Sequence, residues 1–236
     1  CLDIYHFYVT INGVIPTMPK VIVIEGIDGT GKTTVAKELV KQIASLGKKV
    51  TYLNTPSSEL PVGKMLREQL LTGQLQTSMT VQGVLMMAAC REIYEHIEKN
   101  LQDQDYIILD RFIWSTLVYN QYTTEGGGGA DDHEFIAYMS AGLFDDDDTH
   151  ILGPMAWSLF YLTGSVETIT ARLANRTDEH NEIDDKVIAD IEKYTDGYAT
   201  VFEDNCPDVT YVGTDDVTPT DVVVSILQEL MIEYDI

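Results

Sequence analysis

Val21-Ile22-Val23-Ile24-Glu25-Gly26-Ile27-Asp28-Gly29-Thr30-Gly31-Lys32-Thr33-Thr34 is the stretch on which the reading of this chain turns. Its first four residues are apolar and β-branched, as a strand buried on both faces requires. The run then breaks at Gly26, Gly29 and Gly31, and Val35, Leu39, Val40 and Ile43 follow at helical spacing up to a stop at Gly47. In that setting Gly26-x-x-x-x-Gly31-Lys32-Thr33 reads as a loop that grips phosphate. The glycines let backbone N–H groups face inward with no Cβ in the way. The helix N-terminus adds unsatisfied donors and a partial positive charge. Lys32 supplies a point charge for the β- and γ-phosphates, and the Thr33 hydroxyl is a ligand for Mg²⁺. Residues Gly26 to Thr34, with Ile27, Asp28, Thr30 and the three glycines between them, form the candidate triphosphate site.

Outward from this loop the pattern of strand, loop and helix repeats. Val50-Thr51-Tyr52-Leu53 reads as a second strand, Tyr106-Ile107-Ile108-Leu109 as a third closed by Asp110, Leu159–Leu162 as a fourth and Val209–Val212 as a fifth. Amphipathic helices are expected over about 80–101 and 219–234. Alternating strands and helices imply right-handed crossovers and a parallel sheet covered on both faces. The expectation is one P-loop α/β domain over residues 18–236, with three α/β/α layers around a five-stranded parallel sheet. Residues 1–17 precede Met18-Pro19-Lys20 and read as an N-terminal extension. Gly126–Gly129 and Asp145–Asp148 read as solvated loops. Asp110-Arg111, at the carboxyl end of a strand, is where a second Mg²⁺-related carboxylate belongs.

The 236 residues carry 15 Lys and Arg against 38 Asp and Glu, a formal net charge of −23. So acidic a surface repels nucleic acid and anionic membrane, which argues against either as a partner. It reads as a solubility feature or as adaptation to a salty cytoplasm, where repulsion is screened. No apolar run approaches the roughly 18 residues of a membrane span. Cys1, Cys90 and Cys206 lie far apart without metal-ligand spacing, which points to free thiols in a reducing, cytoplasmic compartment. Arg67, Arg91, Arg111, Arg172 and Arg176 are the only arginines, and a nucleotide site would draw on most of them.

Four segments together resemble thymidylate kinase, over nearly all of residues 18–236. The loop Val23–Thr34 is similar to that family's, acidic residue included. Asp110-Arg111-Phe112-Ile113-Trp114-Ser115-Thr116-Leu117-Val118-Tyr119-Asn120 is similar to its Asp-Arg-Tyr-x-x-Ser-x-x-Ala-Tyr-Gln stretch. Leu85–Arg91 resembles its Leu-Leu-Phe-Ala-Ala-Asp-Arg helix, and Pro61–Arg67 its Pro-Leu-Gly-x-x-Leu-Arg segment. The resemblance implies transfer of the ATP γ-phosphoryl group to a deoxynucleoside monophosphate, dTMP first among them, with Mg²⁺ and in a homodimer. It implies Asp28 on the sugar 3′-hydroxyl, Arg111 on the acceptor phosphate, Arg91 and Met87 at the base, and Tyr119 and Asn120 beside them. Lys32, Asp110 and Arg111 would then be catalytic, and a lid following the fourth strand would bring Arg172 to ATP and Arg176 to the transition state. Gly29-Thr30 stands where some relatives carry an arginine, so that charge must come from elsewhere.

The departures fall on the acceptor side. Asn54–Glu59 has no arginine where the family grips the monophosphate, with Arg67 or Lys64 as substitutes. Met87 replaces a phenylalanine, Cys90 an aspartate and Asn120 a glutamine. Three other readings stay open: a monophosphate kinase of different or broad specificity, a deoxynucleoside kinase with Glu25 or Asp110 as base, and a nucleotide-dependent switch ATPase.

Overall fold

The computed structural model of the chain describes residues 18–71, 77–122, 136, 138–139, 142, 157–175, 182–205 and 208–234. The expected extension 1–17, Arg176 and the Gly126–Gly129 and Asp145–Asp148 runs lie outside the described residues. The strands are β1 (Lys20–Glu25), β2 (Val50–Asn54), β3 (Tyr106–Asp110), β4 (Trp157–Thr163) and β5 (Val209–Gly213). Between and after them run α1 (Lys32–Ser45), α2 (Pro61–Leu71), α3 (Met79–Asn100), α4 (Ile113–Tyr122), α5 (Val166–Ala174), α6 (Glu182–Ala189), α7 (Ile191–Asn205) and α8 (Pro219–Tyr234).

All five strands pair in parallel, in the order β2-β3-β1-β4-β5. The period-two alternation of strand side chains then divides the core into two layers. Val21 and Val23 of β1, Ile107 and Leu109 of β3 and Leu159 and Tyr161 of β4 face one cluster, built with α3, α4 and α7. Ile22, Ile24, Ile108, Phe160 and Leu162 face the other, built with Val35, Ala36, Leu39 and Ile43 of α1 and Val222, Val223, Ile226 and Leu230 of α8. Continuous apolar runs are needed here because both faces of each central strand are covered.

This topology places β1 between β3 and β4, so the loop after β1 and the end of β3 open on the same carboxyl edge of the sheet. Ile24 pairs with Asp110, and the Arg111 N–H continues the ladder to the Ile24 carbonyl at 3.0 Å. Sheet register therefore sets how the two candidate motifs meet.

Candidate active site

The loop after β1 is shaped by its glycines. Gly26 has φ 147°, and a Cβ there would lie 2.7 Å from the Leu162 carbonyl oxygen and 2.8 Å from Thr30 Oγ1. Gly31 caps α1 in a left-handed conformation with no side chain to bond the first N–H groups, which leaves the donors of the first turn for a ligand. The Ile27 carbonyl accepts from Thr30 Oγ1 at 2.9 Å and from Lys32 Nζ at 2.8 Å. The lysine is thus folded onto its own loop. Burial lowers the pKa of its ammonium, to about 8, and Arg111 adds to the effect while Asp28, Asp110 and Glu25 oppose it.

Thr33 and Asp110, separated by 77 residues, meet: Thr33 Oγ1 donates to Asp110 Oδ2 at 2.6 Å. The Tyr52 hydroxyl donates to the same oxygen at 3.0 Å. A hydroxyl and a carboxylate are hard oxygen donors, the chemistry that suits a small divalent cation whose remaining positions are filled by phosphate and water. Among the described residues no cluster of three or more His, Cys, Asp or Glu could hold a metal alone. The Thr33–Asp110 pair thus fits a phosphate-borne ion better than a resident one.

On the other side of the loop Arg111 joins Asp28. Its Nη2 lies 2.6 Å from Asp28 Oδ1, the Tyr119 hydroxyl donates to Asp28 Oδ2 at 2.8 Å, and Lys32 Nζ is 3.8 Å away. Burial pushes the Asp28 carboxyl up, but Arg111, Lys32 and the two hydrogen bonds more than offset it and hold it well below the usual range. The Arg111 guanidinium also stands over the Tyr119 ring, 5.2 Å from its centroid. Arg111 has φ 68°, a left-handed conformation that costs a non-glycine residue on the order of 1 kcal/mol or more. Neighbouring bonds hold it there: the Ile24 carbonyl accepts its N–H, and its own carbonyl accepts from Thr55 Oγ1 at 2.7 Å.

The remaining candidates are spread wider. Arg172 Nη1 donates to Thr214 Oγ1 at 2.9 Å and Nη2 to the Thr214 carbonyl at 2.7 Å, with the Gly29 carbonyl 3.5 Å from Nη1. It therefore ties the phosphate loop to the turn after β5. Arg67 reaches the arginine-free segment after β2 and donates to the Pro56 carbonyl at 3.3 Å. Arg91 lies along α3 against Glu95, 3.1 Å away, and over the Tyr94 ring. Met87 is fully buried in the core. Asn120 donates to the Met79 carbonyl at 2.5 Å, and its buried Oδ1 has no partner among the described residues. Thr34 is exposed in the first turn of α1.

Three functional neighbours escaped the sequence reading. Sequence alone offers Glu25 as a loop residue and an alternative base, whereas the structure gives it the contacts of a scaffold. It is fully buried, and its carboxylate accepts from the Phe112 and Ser115 N–H groups, from the Ser115 hydroxyl and from Tyr198. Tyr52 and Tyr198 carried no motif. The stripe Ile191, Tyr194, Tyr198, Val201 and Phe202 at helical spacing was the signal available for the second.

A loop of this kind, at the carboxyl edge of a β2-β3-β1-β4-β5 sheet, defines the class: a P-loop α/β fold of the kinase kind. A sequence profile of the thymidylate kinase family matches residues 24–134, and over those residues the chain is similar to that family. Thymidylate kinase of Ralstonia pickettii is 40% identical over 114 residues, covering 46% of this chain and 52% of the relative. That of Mesoplasma florum is 27% identical over 167 residues, covering 70% and 73%. The chain spans about half the length of the first curated relatives it matches. The thymidylate kinase structure from Candida albicans superposes with a TM-score of 0.69 at 21% identity, covering 92% of both chains, so the fold extends well beyond the matched segment.

Proposed function

We propose that this chain transfers the γ-phosphoryl group of ATP to a deoxynucleoside monophosphate, with dTMP as the acceptor. The observation that carries the reading is the Asp28–Arg111–Tyr119 cluster beside the phosphate loop. A protein that only bound and hydrolysed a triphosphate has no need of a second cation and a carboxylate paired next to it. An enzyme with two anionic substrates does.

The geometry supports the following division of labour. The N–H groups of the loop and Lys32 hold the donor phosphates, and Lys32 exchanges the Ile27 carbonyl for phosphate oxygen. Thr33 and Asp110 are the residues that would hold Mg²⁺, which when bound neutralises charge on the donor phosphates. Arg111 exchanges part of its pairing with Asp28 for the acceptor phosphate, and Asp28 turns to the sugar hydroxyl. The acceptor oxygen then forms a bond to the γ-phosphorus as the bond to the β–γ bridging oxygen breaks, and ADP leaves. Catalysis of such a loose transition state is chiefly positioning and cationic stabilisation. The lid role of Arg176 is part of this proposal; Arg172 acts from beside Gly29. The protein is read as a cytoplasmic homodimer on family grounds.

The deoxynucleoside kinase reading needs a carboxylate free to take a proton from a 5′-hydroxyl. Glu25 is closed in by four donated hydrogen bonds, and Asp110 is engaged by Thr33 and Tyr52. A broader acceptor range is favoured by one observation: Met87, fully buried, offers no ring to a thymine face. The Candida albicans relative is itself described as broad in substrate specificity. Steady-state assays with ATP and each of dTMP, dUMP, dCMP, dGMP and dAMP, with thymidine and no acceptor as controls, decide. dTMP is expected to have the highest kcat/KM. Equal use of all five removes the thymidylate assignment, and ATP hydrolysis indifferent to any acceptor removes the kinase.

A further inference from the structure

Two tyrosines one turn apart on α7 close the back of the acceptor-side cluster. The Tyr194 ring packs on the Tyr119 ring, with centroids 5.3 Å apart. Tyr198 is fully buried, and its hydroxyl lies 2.8 Å from Ser115 Oγ, 3.0 Å from Glu25 Oε2, 3.2 Å from Arg111 Nη1 and 3.4 Å from the Gly26 carbonyl. Arg111 Nη1 is thereby held on one edge by Gly26 O at 3.0 Å, Ser115 Oγ at 2.8 Å and Tyr198. Its Nη2 faces the opposite way, to Asp28 and the Tyr119 hydroxyl.

We propose that Tyr198 is a positioning residue for the phosphoryl acceptor: through Ser115, Glu25 and Arg111 Nη1 it fixes the plane of the Arg111 guanidinium that meets the acceptor phosphate. This rests on the reading of Arg111 given above. A planar guanidinium delivers its bonds in fixed directions, so a rotation of the plane misdirects every one of them. Arg111 also has a backbone conformation that its own residue type disfavours. Its side chain therefore depends on surrounding partners for direction. A buried hydroxyl must itself be satisfied, and Tyr198 is satisfied entirely by groups of this cluster. Among the described residues, the side-chain hydrogen bonds of Tyr198 and Ser115 run to Glu25, Gly26, Arg111 and each other rather than to Thr33 or Asp110.

The test is Tyr198→Phe, which removes one oxygen and keeps the ring against Tyr161 and Phe202. The expected result is a loss of about tenfold in kcat/KM for dTMP, the size of a hydrogen bond to a charged group, with the Kd of a non-hydrolysable ATP analogue unchanged within about twofold. Ser115→Ala, which removes the neighbouring link, is expected to act on the same parameter and to combine with Tyr198→Phe by less than the product of the two effects. Acceptor kinetics equal to the parent protein, or equal losses for acceptor and ATP analogue, would overturn the inference. If Tyr198→Phe does not fold, Ser115→Ala decides by the same criteria. If the parent protein itself binds no deoxynucleoside monophosphate, the function proposed above fails and the inference falls with it. A parent that turns over dTMP beside unaffected variants sinks the inference alone.

Discussion

Glu25 shows how much one residue beside the phosphate loop constrains. Burial raises the pKa of its carboxyl above the ordinary 4.5, while Arg111, Ser115 and the Phe112 N–H oppose that rise without cancelling it. The folded protein therefore holds a proton on Glu25 at pH values where the unfolded chain has released it. Linkage gives the sign: the stability Glu25 contributes is fully present below about pH 4.5 and is lost as pH rises through the folded-state value. Urea unfolding of the parent and of Glu25→Gln from pH 4 to 8 is the measurement. The parent's stability relative to the variant is expected to fall as pH rises. A difference that stays constant or grows with pH removes buried protonation from the account. The same residue shows what motif reading misses. The phosphate loop identifies itself by glycine spacing, whereas Glu25 acts through partners 87 to 173 positions away in the chain.

Among the elements, α2 shows how a gap in the family pattern is bridged. Its first N–H groups, on Val62 and Gly63, both donate to the Glu92 carboxylate of α3, at 2.9 to 3.1 Å. Gly63 sits so close to Ser57 that a Cβ would lie 2.4 Å from its backbone nitrogen. Capped by Glu92 and pressed on Ser57, α2 carries Arg67 to the Pro56 carbonyl, inside the segment that lacks its own arginine. A carboxylate at a helix N-terminus contributes about 1–2 kcal/mol. Glu92→Ala is therefore expected to lower Tm by a few degrees, at about 2–4 °C per kcal/mol for a chain of this size. It is also expected to raise KM for the acceptor more than for ATP. A Tm unchanged within a degree would mean that water replaces the cap. The strands and the helices α1, α3 and α8 were legible because burial on both faces or on one stripe writes a period into the sequence. Met79–Asn100 against the expected 80–101 is an error of one residue at each end. Strand order, the position of Arg67 and the inward turn of Tyr198 were not legible. They depend on which elements become neighbours, and no local period encodes that.

At the scale of the whole molecule, two fields of opposite sign coexist. The chain carries a formal net charge of −23, while Lys32, Arg111 and Arg172 converge around one loop. Self-repulsion of the acidic surface acts over distances comparable to the Debye length, about 10 Å at 0.1 M salt and about 3 Å at 1 M. It destabilises the compact state wherever it is unscreened. The cations of the site act at hydrogen-bond distance on largely buried partners, where salt screens little. Added KCl should therefore relieve the first field while leaving the second nearly intact. Tm is expected to rise with KCl, most steeply below about 0.5 M, where the Debye length changes fastest. Sucrose at matched osmolality, which stabilises by exclusion without screening, is expected not to reproduce that early rise. The anionic substrates approach through the same acidic field, so KM for ATP should stay level or fall over this range, the reverse of a protein that gathers nucleotides with a basic surface. A Tm that drops with KCl, or a KM that climbs several-fold alongside it, would show that close attraction rather than distant repulsion governs this chain.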